Sequence, residues 1–273
     1  MALRINNPYS LNAQRNLEET GLKLNRSLER LSSGLRISQA AYDPAGLAIS
    51  ESLRADIASY EQAKRNASDG ISLLQVAEGA LGESSSLLTR LRQLSVQSAN
   101  GTLGTSERST LNSEFQLLVS EVSRIANVTE FNGTSILNNS SLQLNFQVGI
   151  GTGSDDQIPV SGVDATAGGL SISGLSIATS SGAAAAISAL DAAVGSLASL
   201  RGQLGGGQNR LESTIRSISV AIENTTAAES RIRDVDVAQE ASRLTRLQLL
   251  QQAGVSVASQ ANLSTQTALQ LLR

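Results

Sequence analysis

Ser230-Arg-Ile-Arg-Asp-Val-Asp-Val-Ala-Gln-Glu240 opens a run to Arg273 in which Leu247, Leu250, Gly254, Val257, Ala261, Ser264, Ala268 and Leu271 follow at intervals of three and four. Such intervals keep residues on one face of an α-helix and describe a heptad stripe. The stripe thins along its length, with Gly, Ala and Ser in places that a self-sufficient coiled coil fills with Leu or Ile. So lean a face buries little area against one partner and asks for several close neighbours. At the other end of the chain Ser10-Leu-Asn-Ala-Gln-Arg-Asn-Leu17 begins a second run, with Leu17, Leu24, Leu28, Leu31 and Leu35 again at helical spacing. The two terminal helices are expected to pair with each other.

Between them the chain reads as more helix, interrupted once. Pro8 precedes the first helix, and Ser32-Ser-Gly34 weakens its far end. A break between Ile37 and Tyr42 is expected before Asp43-Pro44, where Asp serves as N-cap and Pro as first helical residue. No proline follows until past Asn100, and Leu53, Ile57, Tyr60, Ala67, Ile71, Leu74, Leu81, Leu88 and Leu91 predict one long helix. Asn100-Gly101 is expected to end it with a left-handed cap. Leu111, Phe115, Leu118, Val122 and Ile125 predict a third helix, capped by Thr105 or Ser106.

Period two replaces this pattern at the centre. Phe131-Asn-Gly133 is a tight-turn signal. Leu142, Leu144, Phe146 and Val148 alternate with polar residues, and Ile158 with Val160 predicts a partner strand. A weaker alternation at Leu170, Ile172, Leu175 and Ile177 extends this to a small β subdomain of short, exposed strands. Helix resumes near Ala183 and continues to Ile232, with Gly205-Gly-Gly207 marking a kink or local fraying. The predicted class is mainly α: an antiparallel helical rod with a small β-hairpin region and paired termini.

Composition excludes more than it names. The chain has 273 residues, a net charge of −3, 16% charged and 2% aromatic residues, and neither Cys nor His. It therefore has no disulfide, thiol nucleophile, thiolate metal site or imidazole base. The charge favours neither nucleic acid nor membrane. No stretch approaches a membrane span, and Met1-Ala-Leu-Arg-Ile-Asn-Asn-Pro8 lacks the apolar core of a cleaved signal. Gly149-x-Gly151-x-Gly153 lacks the third glycine of a dinucleotide fingerprint and leads into no helix, so it reads as a hairpin turn. Asp155-Asp156 and Asp234-x-Asp236 read as solvated turn and helix-face charges rather than cation ligands. Lys occurs only at Lys23 and Lys64, each inside a helical pattern, which disfavours a Ser-Lys dyad. No catalytic, cofactor or metal residue is expected.

Longer blocks carry a resemblance. Met1-Ala-Leu-Arg-Ile-Asn-Asn7, Ser10 to Leu17, Ser27-Leu-Glu-Arg-Leu-Ser-Ser-Gly-Leu-Arg-Ile37, Ala45-Gly-Leu-Ala-Ile-Ser-Glu51, Asn66 to Gln75, Thr129-Glu-Phe-Asn-Gly133, Gln208-Asn-Arg-Leu-Glu212 and Ala228 to Asp236 resemble bacterial flagellin, in that family's order. The resemblance covers about residues 1–150 and 185–273. It implies a filament subunit of two inner layers, with the outer domain essentially absent. The corresponding segments are 1–43 (N-terminal assembly helix and linker), 44–130 (rod helices), 131–182 (β-hairpin region with a reduced variable segment), 183–229 (returning rod helix) and 230–273 (C-terminal assembly helix).

The resemblance further implies a homopolymer that meets filament cap and hook-junction proteins and an export chaperone at the C-terminal helix. Export would run through the flagellar type III apparatus without a cleaved signal, to an extracellular flagellum. An innate-receptor epitope, read by a Toll-like receptor, is implied at Arg90, Leu94, Gln97 and Glu114, with Thr89 where the family often has Gln. The alternatives are a hook-filament junction protein of the same superfamily and a secreted flagellin-like effector. Because the terminal stripes are narrow, residues 1–40 and 235–273 are expected to order on assembly.

Overall fold

A computed structural model describes the backbone of residues 8–271 and the side chains of residues 11–263. The Met1–Asn7 block and the stripe positions Ser264, Ala268 and Leu271 lie outside the described side chains. The elements are α1 (Pro8–Ser33), α2 (Pro44–Ala99), α3 (Thr105–Val128), β1 (Glu130–Phe131), β2 (Thr134–Ser135), β3 (Gln143–Gln147), β4 (Gln157–Ser161), α4 (Ser180–Arg233) and α5 (Val237–Leu271). They divide into two units, Asp56–Glu223 and a second built from Met1–Ala55 with Asn224–Arg273.

The Asp56–Glu223 unit holds the filled core. Leu74, Leu81 and Leu88 of α2 recur every seven residues and are buried, as are Phe115 and Val122 of α3 and Leu190, Leu197, Leu204 and Leu211 of α4. These leucine ladders interlock because α4 runs antiparallel to α2: Arg201 pairs with Glu78 at 2.9 Å and Arg92 with Asp191 at 2.7 Å. Both pairs are exposed, so each contributes at most about 1 kcal/mol and the apolar ladder dominates.

Several ends differ from the sequence expectation. Asn100 and Gly101 do not adopt the left-handed conformation. Arg108 instead donates to the Ser98 and Asn100 carbonyls at 2.9 Å each, supplying partners to carbonyls at the end of α2. The N-cap of α3 is Gly104, without a side-chain bond, and Thr105 and Ser106 fall inside the helix. The helix α4 passes through Gly205-Gly-Gly207 without a break, because neighbouring turns hold it on both sides. Cβ atoms added at Gly205 and Gly206 would meet nothing within 4 Å. Gly205→Ala with Gly206→Ala is therefore expected to stabilise by about 1 kcal/mol per site, read as a raised urea midpoint.

A further correction concerns α4, which is long and apolar enough to cross a membrane by length and composition. Its apolar residues have a packing use: Ala183, Ala186, Leu190, Ala193 and Leu197 enter the shared core.

The β segment is anchored on α2. Asn132 and Gly133 have φ of 51° and 74°, the paired positive values of a type I′ turn between β1 and β2. The strands β3 and β4 pair antiparallel with Leu144 opposite Val160 and Phe146 opposite Ile158. An added Cβ at Gly70 of α2 would lie 3.2 Å from the Phe146 ring, so glycine there lets the hairpin seat. Between the strands the Gly149-to-Gly153 loop folds over the Asp156 side chain, which accepts from the Gly153 N–H at 3.3 Å.

Residues 162–179 form no further strands. Leu170, Ile172 and Ile177 are buried rather than exposed. Asn112 Oδ1 accepts the Ile177 N–H at 2.8 Å, Ser98 donates to the Ile177 carbonyl at 2.5 Å, and Gln116 donates to the Leu175 carbonyl at 2.6 Å. Side chains of α2 and α3 thus supply the backbone partners that a strand would have found in a sheet.

Candidate assembly interface

The unit built from both chain ends is organised around an antiparallel α1–α5 pair. Its inward ladder on α5 is Glu240, Leu244, Leu247, Gln251, Gly254, Ala258 and Ala261, spaced four and three. The facing ladder on α1 contains Ala13, Leu17, Thr20, Leu24, Ser27 and Leu31. The two approach closely where glycine permits it, since a Cβ at Gly254 would lie 3.3 Å from Leu17 Cγ. Only Leu247 among these apolar residues is fully buried.

Part of the expected stripe therefore points elsewhere. Leu250 and Val257 are 52% and 60% exposed, and Leu28 of α1 is 46% exposed. An interval of three or four fits two adjacent helix faces equally well, and the side occupied by α1 decides between them. Leu249, Val255 and Leu263 are exposed as well. At about 100° per residue these side chains, with Leu250 and Val257, spread over roughly 220° of α5, the arc that α1 leaves uncovered. Large apolar side chains spread over so wide an arc call for further neighbours, and among the described residues α5 has a single long partner, α1.

The two linkers lock together. The Arg36 N–H donates to the Arg233 carbonyl at 2.6 Å, and Val235 N–H donates to the Gly34 carbonyl at 3.0 Å. The Arg36 guanidinium donates to the Ile232 and Arg231 carbonyls at 3.1 and 3.3 Å, placing positive charge on the C-terminal end of α4. Leu35 bridges to Asp234 here rather than continuing α1. Gly34, at φ 73°, makes the left-handed exit from α1. The expected Asp43 cap is present, accepting from Gly46 N–H at 2.9 Å, and Asp236 caps α5 through Gln239 N–H at 3.1 Å.

Glu29 holds the first linker closed, accepting from Ser38 at 2.7 Å, Tyr42 at 2.9 Å and Gln39 at 3.1 Å. The Ser38 and Tyr42 hydroxyls keep its carboxyl below the ordinary value of 4.5. The Arg233 guanidinium, 2.6 Å away, lowers Glu51 in the same direction. A carboxyl lowered by folding stabilises the folded form above its unfolded value and loses that contribution as pH falls through the folded one. In the polymer, linker protection is therefore expected to be full at neutral pH and to weaken as pH falls below about 4.5. Glu29→Gln should show weak protection already at pH 7 and little further change on acidification. Amide exchange at Arg36, Tyr42 and Leu47, corrected for intrinsic rates, checks this.

The epitope positions separate. Arg90 pairs with Glu114 at 2.7 Å on the surface and Gln97 is exposed. Leu94, 1% exposed, belongs to the core and offers no surface to a partner. The carboxylate pairs are turn and cap groups, with Asp234 bonded to Ser230 at 2.6 Å. Ser27, Arg30 and Glu240, polar members of the seam, escaped a search for apolar residues, although they sit on the same spacing of three and four.

A filled helical bundle is thus joined in sequence to a thinly packed terminal pair whose α5 leaves large apolar side chains exposed. The chain belongs to the flagellin family: residues 5–141 match the bacterial flagellin N-terminal helical region and residues 187–272 the C-terminal helical region. It is 45% identical over 267 residues to a flagellin of Halalkalibacterium halodurans, covering 97% of both chains. It is 40% identical to the flagellar filament 33 kDa core protein of Treponema phagedenis, covering 98% of both. The crystal structure of Bacillus cereus flagellin matches with a TM-score of 0.51 and 29% identity, over 60% of this chain and 94% of that one. A putative flagellar hook-associated protein from Vibrio parahaemolyticus matches at 0.61 and 17% identity, over 71% and 100%, a likeness of fold.

Proposed function

We infer that this chain is the structural subunit that polymerises into the bacterial flagellar filament and so supports swimming. The carrying observation is near-complete alignment at 45% identity to a flagellin, with both helical regions matched. The physical counterpart is α5, whose exposed Leu249, Leu250, Val255 and Val257 require neighbours. Copies meeting through unlike faces build an open helix rather than a closed ring. The protein works outside the cell as scaffold, not as catalyst.

Export through the flagellar type III apparatus without a cleaved signal, an export chaperone on α5, and contact with filament cap and hook-junction proteins complete this reading. The assembly residues are Leu17, Leu24, Leu28, Leu31 and Leu35 with Leu247, Leu250, Gly254, Val257, Ala261, Ala268 and Leu271. Full-length identity to flagellins favours the filament subunit over a junction protein, whose fold is shared. Electron microscopy of purified protein after addition of a precipitant or filament seed tests the reading. Long tubes are expected, and compact oligomers alone would overturn it.

Recognition by the flagellin-sensing Toll-like receptor is carried by Arg90, Gln97 and Glu114 on the exposed surface, with Leu94 supporting them from beneath. Arg90→Ala is expected to weaken receptor activation in a reporter cell. Activation equal to the parent protein would remove this assignment.

A further inference from the structure

One feature of the α1–α5 pair is not explained by packing. A hollow of about 350 Å³ opens beside the seam, and Lys23, Arg26 and Arg30 of α1 line it together with Arg243 and Arg246 of α5. Its single acid is Glu240, whose side chain is 7% exposed and lies 4.0 Å from Arg30 and 3.6 Å from Arg243. Lys23 is engaged by Glu19 at 2.7 Å, and the Arg26 guanidinium sits over the Tyr42 ring at 4.5 Å, within the field of the Glu29 carboxylate. Arg246 has no ion-pair partner among the described residues. The lining carries five cations and one carboxylate, and Arg246 is the cation for which the described residues supply no acid.

Two donors point to what fills the hollow. Ser27, 1% exposed and on the lining, has a hydroxyl without a hydrogen-bond partner, and so has Nε of Arg30. Leaving buried donors unpaired is costly, and an ionised carboxylate, which only accepts, can serve both together with the surplus cations.

We propose that this hollow receives a carboxylate side chain of a second copy of the chain, forming an ion pair between subunits. The inference rests on the filament reading, which brings copies together at every α1–α5 pair. The chain itself is the fitting source of acid. Residues 56–223 carry fifteen Asp and Glu against nine Lys and Arg, whereas residues 1–55 with 224–273 carry twelve Lys and Arg against nine acids. Unlike surfaces of successive copies are thus complementary in charge, the condition under which ion pairs fix register.

The test measures the critical concentration for polymerisation of the full chain across a NaCl series, for the parent protein, Arg246→Gln, Arg246→Glu and Ser27→Ala. Polymerisation of the parent secures the filament reading independently of the variants. The parent's critical concentration should rise with salt as the pair is screened. Arg246→Gln should raise it roughly tenfold at low salt and flatten the salt dependence, and Arg246→Glu should raise it further. Ser27→Ala should raise it several-fold, although removal of an orphan hydroxyl in a merely structural role would leave it unchanged or lower. Parent-like values and salt slopes in all three variants would overturn the proposal. So would a finding that inorganic phosphate, at constant ionic strength, binds the monomer in an Arg246-dependent manner without competing with polymerisation, because the hollow would then be a free-anion site.

Discussion

Phe115→Ala is expected to cost the Asp56–Glu223 unit about 3–5 kcal/mol, the range for removing a buried aromatic ring from a close-packed core. Phe115 has no exposed surface and heads the fully buried side chains by volume. Its ring lies in the same core as the leucine ladders of α2 and α4, so the void left by Ala is bordered by packed helices. At roughly 2–4 °C per kcal/mol for a unit of this size, the melting midpoint should fall by roughly 6–20 °C. Phe115→Leu keeps most of the volume and should lose much less. Urea unfolding of the monomer, followed by helix content, reads both. A loss below about 1 kcal/mol for Phe115→Ala would mean that α3 is not part of the core that stabilises this unit.

Gly254→Leu should abolish polymerisation while leaving the Asp56–Glu223 unit as stable as before. The first added carbon already approaches Leu17 Cγ to 3.3 Å, and Leu brings three more heavy atoms into a seam whose other members are close behind. The α1 and α5 axes must then separate, and every contact that neighbouring copies make with the pair is displaced. Gly254→Ala serves as the control. Leu17 yields by a few tenths of an ångström, and the gain of roughly 1 kcal/mol in helix propensity offsets the crowding. Sedimentation after seeding separates the cases. Polymer from Gly254→Leu at the parent's critical concentration would show that close α1–α5 packing is not needed for assembly.

Helix starts were legible wherever a residue type forces geometry. Asp43-Pro44 marks the start of α2 because Asp bonds the first turn and Pro cannot continue a preceding one. Asn132-Gly133 marks its turn because both residues accept positive φ. Heptad leucines gave the core ladders for the same kind of reason.

The remainder depended on partners that the local sequence does not name. Leu250 and Val257 share their spacing with Leu244 and Gln251, and only the position of α1 distinguishes the faces. Leu170, Ile172 and Ile177 are spaced as in a strand, yet Leu170 and Ile172 donate to the Thr166 and Ala167 carbonyls in local turns, and Ile177 bonds to the side chain of Asn112, some sixty residues away. The Arg36 bonds to Ile232 span 196 positions and could not be read from either linker. Polar Ser27 and Glu240 are hidden from any search for apolar residues, which is why the charged hollow emerged only with the fold.

Completion of the terminal pair by neighbouring copies is what turns a thinly packed α1–α5 seam into a stable layer. Hydrogen exchange of monomer and polymer, compared residue by residue, tests it most directly. Protection in residues 11–33 and 237–263 should be low in the monomer and rise by orders of magnitude on polymerisation, while the leucine ladders of α2 and α4 stay protected throughout. Equal protection of both terminal helices in monomer and polymer would contradict it.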